Sequence, residues 1–267
     1  MNRLVIDIPY VTPKLDIECS DDKALRYLYA VLSPYVSTQV KEYHNSKKII
    51  FREDEEGNTY FEIDGEKRKA DVKVLRFVER YLLINSVVEC NYVMLHGGGV
   101  VYNDCAFLFL GSSGAGKSTL IAYLCMEGYE YISDDRLIIN LKQQTVIPYA
   151  KPIVLRPEGK EILYKNKQIE TVSVRFDNVR KELYTPINCR KSNTKISRIY
   201  ILARKEKGCV RQEQITNQMK IHELLKHSLS VKDCRNWNKF MQLSKIPVEI
   251  LHYSEMADIN KMLKQMC

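Results

Sequence analysis

Apolar positions along the chain repeat at two different periods, and the places where the period changes mark out its elements. From Ala70, "ADVKVLRFVERYLLINSVVEC" returns to apolar residues at three-and-four spacing, which predicts a helix. Upstream, "KKIIFREDEEGNTYFEIDGE" holds two β-rich runs, Ile49 to Arg52 and Thr59 to Ile63, joined by acidic residues and Gly57-Asn58, a hairpin signal. Earlier still, "SDDKALRYLYAVLS" has helical spacing, with Ser20 as its candidate cap. Residues 1–68 therefore read as a small N-terminal α/β appendage, and residues 69–267 as the main domain.

In "YVMLHGGGVVYNDCAFLFLG" two hydrophobic runs flank Asn103-Asp104, turn chemistry for a β-hairpin. "STLIAYLCMEGYEYISDDRLIINLKQQTVIPY" predicts a helix stopped at Gly128, a short strand ending at Asp134-Asp135, and a second hairpin. Further on, "RIYILAR" and "IPVEILHY" are buried strands, and "TNQMKIHELLKHSL", "VKDCRNWNKFMQLSK" and "EMADINKMLKQM" are helices. Strands alternating with helices predict a layered α/β fold.

Composition narrows the class. With 45% apolar and 28% charged residues among 267, the chain should bury an ordinary core. No apolar run approaches the roughly 20 residues needed to cross a bilayer. The N-terminus meets Pro9 and acidic residues too early for a signal peptide, so a cytoplasmic protein without membrane partners is expected. The eight cysteines are scattered with no C-x-x-C pair, which favours reduced thiols. His222 and His227 lack an upstream cysteine pair and do not read as a zinc site. The net charge of +8 is spread over the length, with no dense basic tract interleaved with aromatics, so no nucleic-acid partner is expected.

Chemistry concentrates in one stretch. Gly111, Ser112, Ser113, Gly114, Ala115, Gly116, Lys117 and Ser118 fit G-x-x-x-x-G-K-[ST], between an apolar strand and a helix. Such a loop converges backbone N–H groups on phosphate oxygens, and the following helix points its positive end at the same anion. Lys117 would reach the β and γ phosphates, Ser118 would ligate Mg²⁺, and Thr119 would support the loop or add a phosphate contact.

Two further clues flank the loop. Asp134 follows Lys117 by 17 residues, room for one helix and one short strand, so Asp134 and Asp135 should emerge at the carboxyl end of the neighbouring strand. One carboxylate there can hold a metal and the other can accept a proton from an attacking hydroxyl, provided that the strand has ended. His96-Gly97-Gly98-Gly99 lies one hairpin upstream, and its glycines imply close backbone approach to a ligand or to a packed helix.

Taken together, "LHGGGVV", "GSSGAGKST" and "GYEYISDD" resemble the catalytic core of the HPr kinase/phosphorylase family over Met94 to Ile139. The segment is similar above all to the smaller HPr-kinase-like serine kinases, such as lasso-peptide precursor kinases. The resemblance implies a P-loop kinase core related to phosphoenolpyruvate carboxykinase, a mixed sheet flanked by helices. It also implies ATP with Mg²⁺ and transfer to a serine hydroxyl of a peptide or small protein. By motif, Lys117 and Ser118 correspond to the phosphate and metal residues, Asp134 to the catalytic base, Asp135 to its metal-associated partner, and His96 to a histidine before the loop strand. Family members assemble into oligomers, so a homo-oligomer is compatible. The chain lacks the long arginine-and-asparagine signature and the full-size N-terminal domain of true HPr kinase/phosphorylases, which argues against HPr as acceptor and against phosphorolysis.

Arg156, Arg175, Arg180 and Arg190 are candidate clamps for phosphate or an acidic peptide, Arg156 in "VLRPE" being best placed. A peptide acceptor calls for an extended groove, which the N-terminal region, read as basic, would supply. A small-metabolite kinase would use the same machinery under a lid, and a nucleotide sensor would need a metal ligand but no second carboxylate.

Overall fold

The computed structural model describes residues 2–8, 11–38, 46–69, 74, 77–78, 81, 87–88, 91–165, 169–176, 179–205, 207–229 and 237–266. The chain divides into two compact units, Met1–Glu89 with Ser173–Lys181, and Cys90–Val172 with Glu182–Cys267. The division falls past the boundary expected at 68/69, and the aromatic contacts give the reason. Phe77 packs its ring against Phe51 and Phe61 and stacks on Tyr81, so the stretch after residue 69 belongs with the first unit. Of the helix expected from Ala70, Val74, Phe77, Val78 and Tyr81 are helical, and most of the remainder lies outside the described residues. No helix among the described residues is long and apolar enough to cross a membrane.

The first unit contains β1 (Asn2–Ile6), β2 (Val11–Thr12), β3 (Lys14–Cys19), α1 (Asp22–Leu32), β4 (Val36–Ser37), β5 (Ser46–Glu53), β6 (Thr59–Ile63), β7 (Glu66–Lys69) and β8 (Val87–Val88). Six of these form a sheet in the order β4-β1-β3-β5-β6-β7, and β2 pairs with β8. The hairpin expected around Gly57-Asn58 joins β5 to β6, with Ile49 opposite Ile63. Ser20 does not cap α1. Asp21 does, its carboxylate accepting from the Lys23 and Ala24 amides at 2.9 and 3.1 Å, where its charge also faces the positive end of the helix. Strand β7 carries no periodic signal, because all four of its side chains are exposed and leave no alternation.

The second unit is built on a mixed sheet. Strands β9 (Tyr92–Leu95), β10 (Gly97–Tyr102) and β11 (Cys105–Leu110) lead into α2 (Lys117–Met126), followed by β12 (Glu130–Ser133), β13 (Leu137–Asn140), β14 (Thr145–Ile147), β15 (Ile153–Leu155) and α3 (Pro157–Tyr164). After β16 (Val172–Phe176) and β17 (Val179–Tyr184), whose residues Ser173–Lys181 belong to the first unit, come β18 (Thr194–Arg204), β19 (Arg211–Gln214), α4 (Asn217–Lys226), α5 (Trp237–Leu243), β20 (Val248–Tyr253) and α6 (Met256–Lys264). The front end of the helix expected from Val231, up to Asn236, lies outside the described residues.

The order across the sheet is β12-β10-β11-β18, with β20 on the far side of β18 and β19 beyond it. Strands β11, β18 and β20 are parallel, while β10 is antiparallel to both of its neighbours. The β10–β11 hairpin turns at Asn103 and Asp104, both at positive φ, as their turn chemistry predicts. Alternation sets the two faces. Phe107 and Phe109 pack under α2 and α6 with Leu120, Ile121 and Leu263, while Leu108 and Leu110 face Leu224 of α4, Phe240 of α5 and Leu137.

Charge is unevenly shared between the units. Over the first unit's spans lysine plus arginine number 17 and aspartate plus glutamate 17; over the second unit's spans the numbers are 24 and 16. The N-terminal region is therefore not basic, and the whole +8 belongs to the unit that carries the glycine loop.

Gly98, the middle of the three glycines, packs against a helix. A Cβ on Gly98 would lie 2.9 Å from Ile121 Cγ1 and 3.1 Å from the Ser133 carbonyl oxygen, so α2 rests almost directly on the β10 backbone. Gly98→Ala should destabilise the protein by about 1–3 kcal/mol in thermal or urea unfolding. Combined with Ile121→Ala it should cost less than the two single changes added, because the new methyl fills the space that is vacated. Simple additivity would show that the contact is slack.

Candidate active site

Backbone geometry makes the loop a cradle. It runs from the end of β11 at Gly111 to Gly116, which caps α2 in the left-handed conformation at φ 85° without any side-chain cap. A Cβ on Gly116 would meet the Tyr253 hydroxyl at 2.7 Å, and that hydroxyl donates to the Ala115 carbonyl at 2.8 Å. The loop is thus pinned from beneath, leaving the first amides of α2 for an anion. Lys117 is buried and its Nζ donates to the Gly111 and Ser112 carbonyls at 2.8 and 3.1 Å. Burial, the largest influence, lowers its proton affinity, and Asp134 and Asp135 oppose that shift. Thr119 turns its side chain to α3, where a Cβ on Gly159 would sit 2.5 Å from its Oγ1.

The acids arrive from an unexpected direction. Strand β12 does not adjoin β11, because β10 lies between them. The strand has ended at Ser133, and Asp134 and Asp135 occupy a bend, with Asp135 at φ 72°. Ser118 Oγ donates to Asp134 Oδ1 at 3.1 Å, linking the first turn of α2 to the acid across the glycine strand. Asp134 is 1% exposed, whereas the Asp135 side chain is 42% exposed.

The two carboxyls are driven apart in proton affinity. Burial first, and then the neighbouring Asp135 charge, push Asp134 up to about 7. Burial also acts to raise Asp135, but Lys151 outweighs it with charge and a 2.8 Å ion pair, holding that carboxyl at about 2. His96 sits at the kink between β9 and β10, its Nδ1 donating to the Asp135 carbonyl at 3.2 Å. Burial, followed by the Lys117 charge, keeps the ring neutral to lower pH than usual.

Of the residues singled out by the sequence, Lys117, Ser118, Asp134, Asp135 and His96 converge on the loop. Arg156, at the start of α3, joins them by donating to Ser113 Oγ at 3.0 Å. Arg190 does not. It ties the turn residue Asp104 to Glu130 and Thr194. Arg180 donates to Ser173 within its own segment, and Arg175 and Arg180 both belong to the first unit.

Four contributors escape the sequence pattern. Lys151 is buried against Asp135, in a stretch whose sole local signal is a lysine after a hairpin. Tyr253 ends a strand whose pattern is that of plain core. Arg136 is buried beside Asp135, with Nη1 unpartnered among the described residues. His227 closes α4 and its carbonyl accepts from the His96 amide at 2.7 Å, fixing the kink that aims His96. Nothing local distinguishes any of the four from ordinary core or surface.

Lys151→Met should cost about 2 kcal/mol in urea unfolding, discounted from the fully buried case because Asp135 is partly exposed. Adding Asp135→Asn should restore most of that loss, and no recovery would mean that the pair is not coupled. His227 supplies a pH dependence. Burial, then the Lys117 charge, lowers its pKa to about 4 from the ordinary 6.5, so the unfolded chain binds the extra proton first as pH falls. The stability contributed by His227 is complete above about 6.5 and is lost towards 4, while Asp134, raised to about 7, contributes the opposite slope over the same range. With Asp134→Asn as the background, which removes the opposing titration, His227→Gln should flatten the slope when unfolding midpoints are compared at neutral and acidic pH; an unchanged slope would remove His227 as its source.

No family model matches this chain, and no curated protein matches it. Among solved structures, the HPr(Ser) kinase/phosphatase from Coxiella burnetii is similar at 11% identity, over 65% of this chain and 95% of that one, with a TM-score of 0.34. A likeness that loose carries no argument about activity, and the chemistry of the loop and its acids has to stand on its own geometry.

Proposed function

We propose that the protein is an ATP- and Mg²⁺-dependent kinase that transfers the γ-phosphoryl group to a serine or threonine hydroxyl of a peptide or small protein. The observation that carries this reading is the Ser118–Asp134 hydrogen bond, which puts a buried carboxylate at the mouth of a phosphate cradle. In this reading the amides of Gly114 to Ser118 and the Lys117 ammonium bind the triphosphate tail. Asp134 orients the acceptor hydroxyl and receives its proton, while Arg156 reaches the transferred group from above Ser113. The Ser118 hydroxyl and the ionised Asp135 are hard oxygen donors of the kind that would hold Mg²⁺, whose charge would offset that of the phosphates. His96 and Lys151 hold Asp135 in place. The +8 charge of this unit supports attraction of the phosphate tail and of an acidic acceptor.

The enclosure of Asp134 favours a second acceptor class, a small hydroxyl compound that fits where a folded protein does not. Intact-mass measurement after incubation with ATP separates the two. Phosphoryl addition to a peptide supports the first reading, and ATP consumption with small alcohols alone supports the second.

Asp134→Asn should abolish transfer and leave nucleotide binding within about twofold, equivalent to roughly 0.4 kcal/mol. Binding of Mn²⁺ in the presence of ATP, followed by electron paramagnetic resonance, should survive Asp134→Asn and weaken in Asp135→Asn. The reverse pattern would make Asp134 the metal carboxylate and Asp135 the acceptor-facing one. Full transfer by Asp134→Asn would remove it as the base.

A further inference from the structure

A row of basic side chains runs beside the acids, and two of its members each carry a buried nitrogen without a partner. In the antiparallel pairing of β13 with β9, Leu137 stands opposite Leu95, and one step further brings Arg136 level with His96. On the other flank of β9, Leu95 bridges to Ser228 and the His96 amide donates to the His227 carbonyl at 2.7 Å. His227 is thus level with His96 as well. Residues opposite one another across such pairings project to one face. Gly97 pairs with Leu110, so the row Arg136–His96–His227 meets the sheet edge level with Gly111, where the glycine loop begins. Burial first, and then the Lys117 charge, lowers the proton affinity of both imidazoles, so Lys117 borders the row.

Arg136 is 7% exposed and His227 5%. Among the described residues, Arg136 Nη1 and His227 Nε2 have no hydrogen-bond partner. The carboxylates beside them are otherwise engaged or out of reach. Asp135 pairs with Lys151 at 2.8 Å, and Glu223 Oε2 stays 3.9 Å from His227 Nε2. An unpaired buried donor destabilises a fold, and two of them on one face, one a guanidinium, are the complement of an anion. The triphosphate tail has the loop amides and Lys117 for itself. Arg136 follows Asp134 by two residues and His96 Nδ1 donates to the Asp135 carbonyl, so the row borders the carboxyls on the acceptor side.

We infer that Arg136 and His227, on either side of His96, bind an anionic group of the acceptor, a carboxylate or a phosphate carried a few bonds from the hydroxyl that is phosphorylated. The acceptor is then a small hydroxy acid or a phosphorylated alcohol, and a neutral alcohol is refused. This rests on the reading of Asp134 as the carboxyl that faces the acceptor, and it adds what else the acceptor carries.

The test titrates acetate and inorganic phosphate against wild-type protein whose glycine loop is saturated with Mg²⁺ and β,γ-imido-ATP. The imidazole nitrogens are followed by ¹H–¹⁵N NMR, with glycerol as the neutral control. A saturable shift at His227 is expected with at least one anion and none with glycerol, and the tighter anion names the group as carboxylate or phosphate. Arg136→Met should weaken that binding about tenfold, and Arg136→Lys, which keeps the charge, should recover part of it. No shift with either anion up to about 50 mM, or an equal shift with glycerol, would overturn the subsite. Binding unchanged in both Arg136 variants would show an adventitious ion only, and displacement of the analogue by the anions would assign the row to the triphosphate; each overturns it too. Wild-type protein that fails to bind the analogue would bring down the nucleotide reading, and the anion titration would still decide the subsite. Full transfer by Asp134→Asn would remove the acceptor-facing carboxyl without touching the anion titration.

Discussion

A strand that opens with three glycines separates the glycine loop from the acids, and the site depends on that gap being closed from above. Adjacent strands lie about 4.8 Å apart, so β11 and β12, with β10 between them, are separated by roughly 10 Å. A helix packed at the usual height over ordinary side chains would hold its first turn too far off to touch an acid beyond the intervening strand. With Gly98 beneath it, Ile121 comes so near the β10 backbone that even a methyl group would intrude. Helix α2 therefore settles low on the sheet, and Ser118 in its first turn reaches Asp134. Gly98 thus bears on the site only indirectly, by setting the height of a helix, while Gly97 and Gly99 face Leu110, Leu108 and Leu137 on the other side of the strand.

Electrostatics then turns an arrangement of groups into a poised one. Two adjacent carboxylates, one buried and one partly exposed, repel each other and cannot both be charged at low cost. Lys151 resolves this by siding with Asp135, which remains ionised, and leaves Asp134 to carry the penalty of burial. The result is one permanent negative charge and one carboxyl with strengthened affinity for a proton. Buried ion pairs are weak as sources of stability but strong as devices for fixing which group carries charge. Lys151 is best understood in that second sense.

The same supporting residues serve more than one part of the site. Tyr253 holds the glycine loop through Ala115 and, by its main chain, the start of the loop after β18. His227 contributes a carbonyl that fixes the turn at His96, and His96 in turn fixes the bend at Asp135. Rigidity at the glycine loop and the bend beside it is therefore drawn from the ends of β20 and α4, more than a hundred residues later in the chain.

Short-range physics makes much of this legible in the amino-acid sequence alone. The glycine spacing, the Asn103-Asp104 turn, the stop at Gly128 and the acid pair after a short strand all act within one or two elements, where period and turn chemistry decide. Ser20 against Asp21 is the scale of error that such patterns bring. The domain boundary lies further from its expected place, because helical period predicts the helix but not which unit Phe77 and its neighbours pack into. Strand order, the descent of α2 onto β10, and the convergence of Lys151, Tyr253 and His227 belong to tertiary structure alone. Each depends on which strands pair across long loops, and that choice is made by the burial of whole faces, on which no local pattern reports.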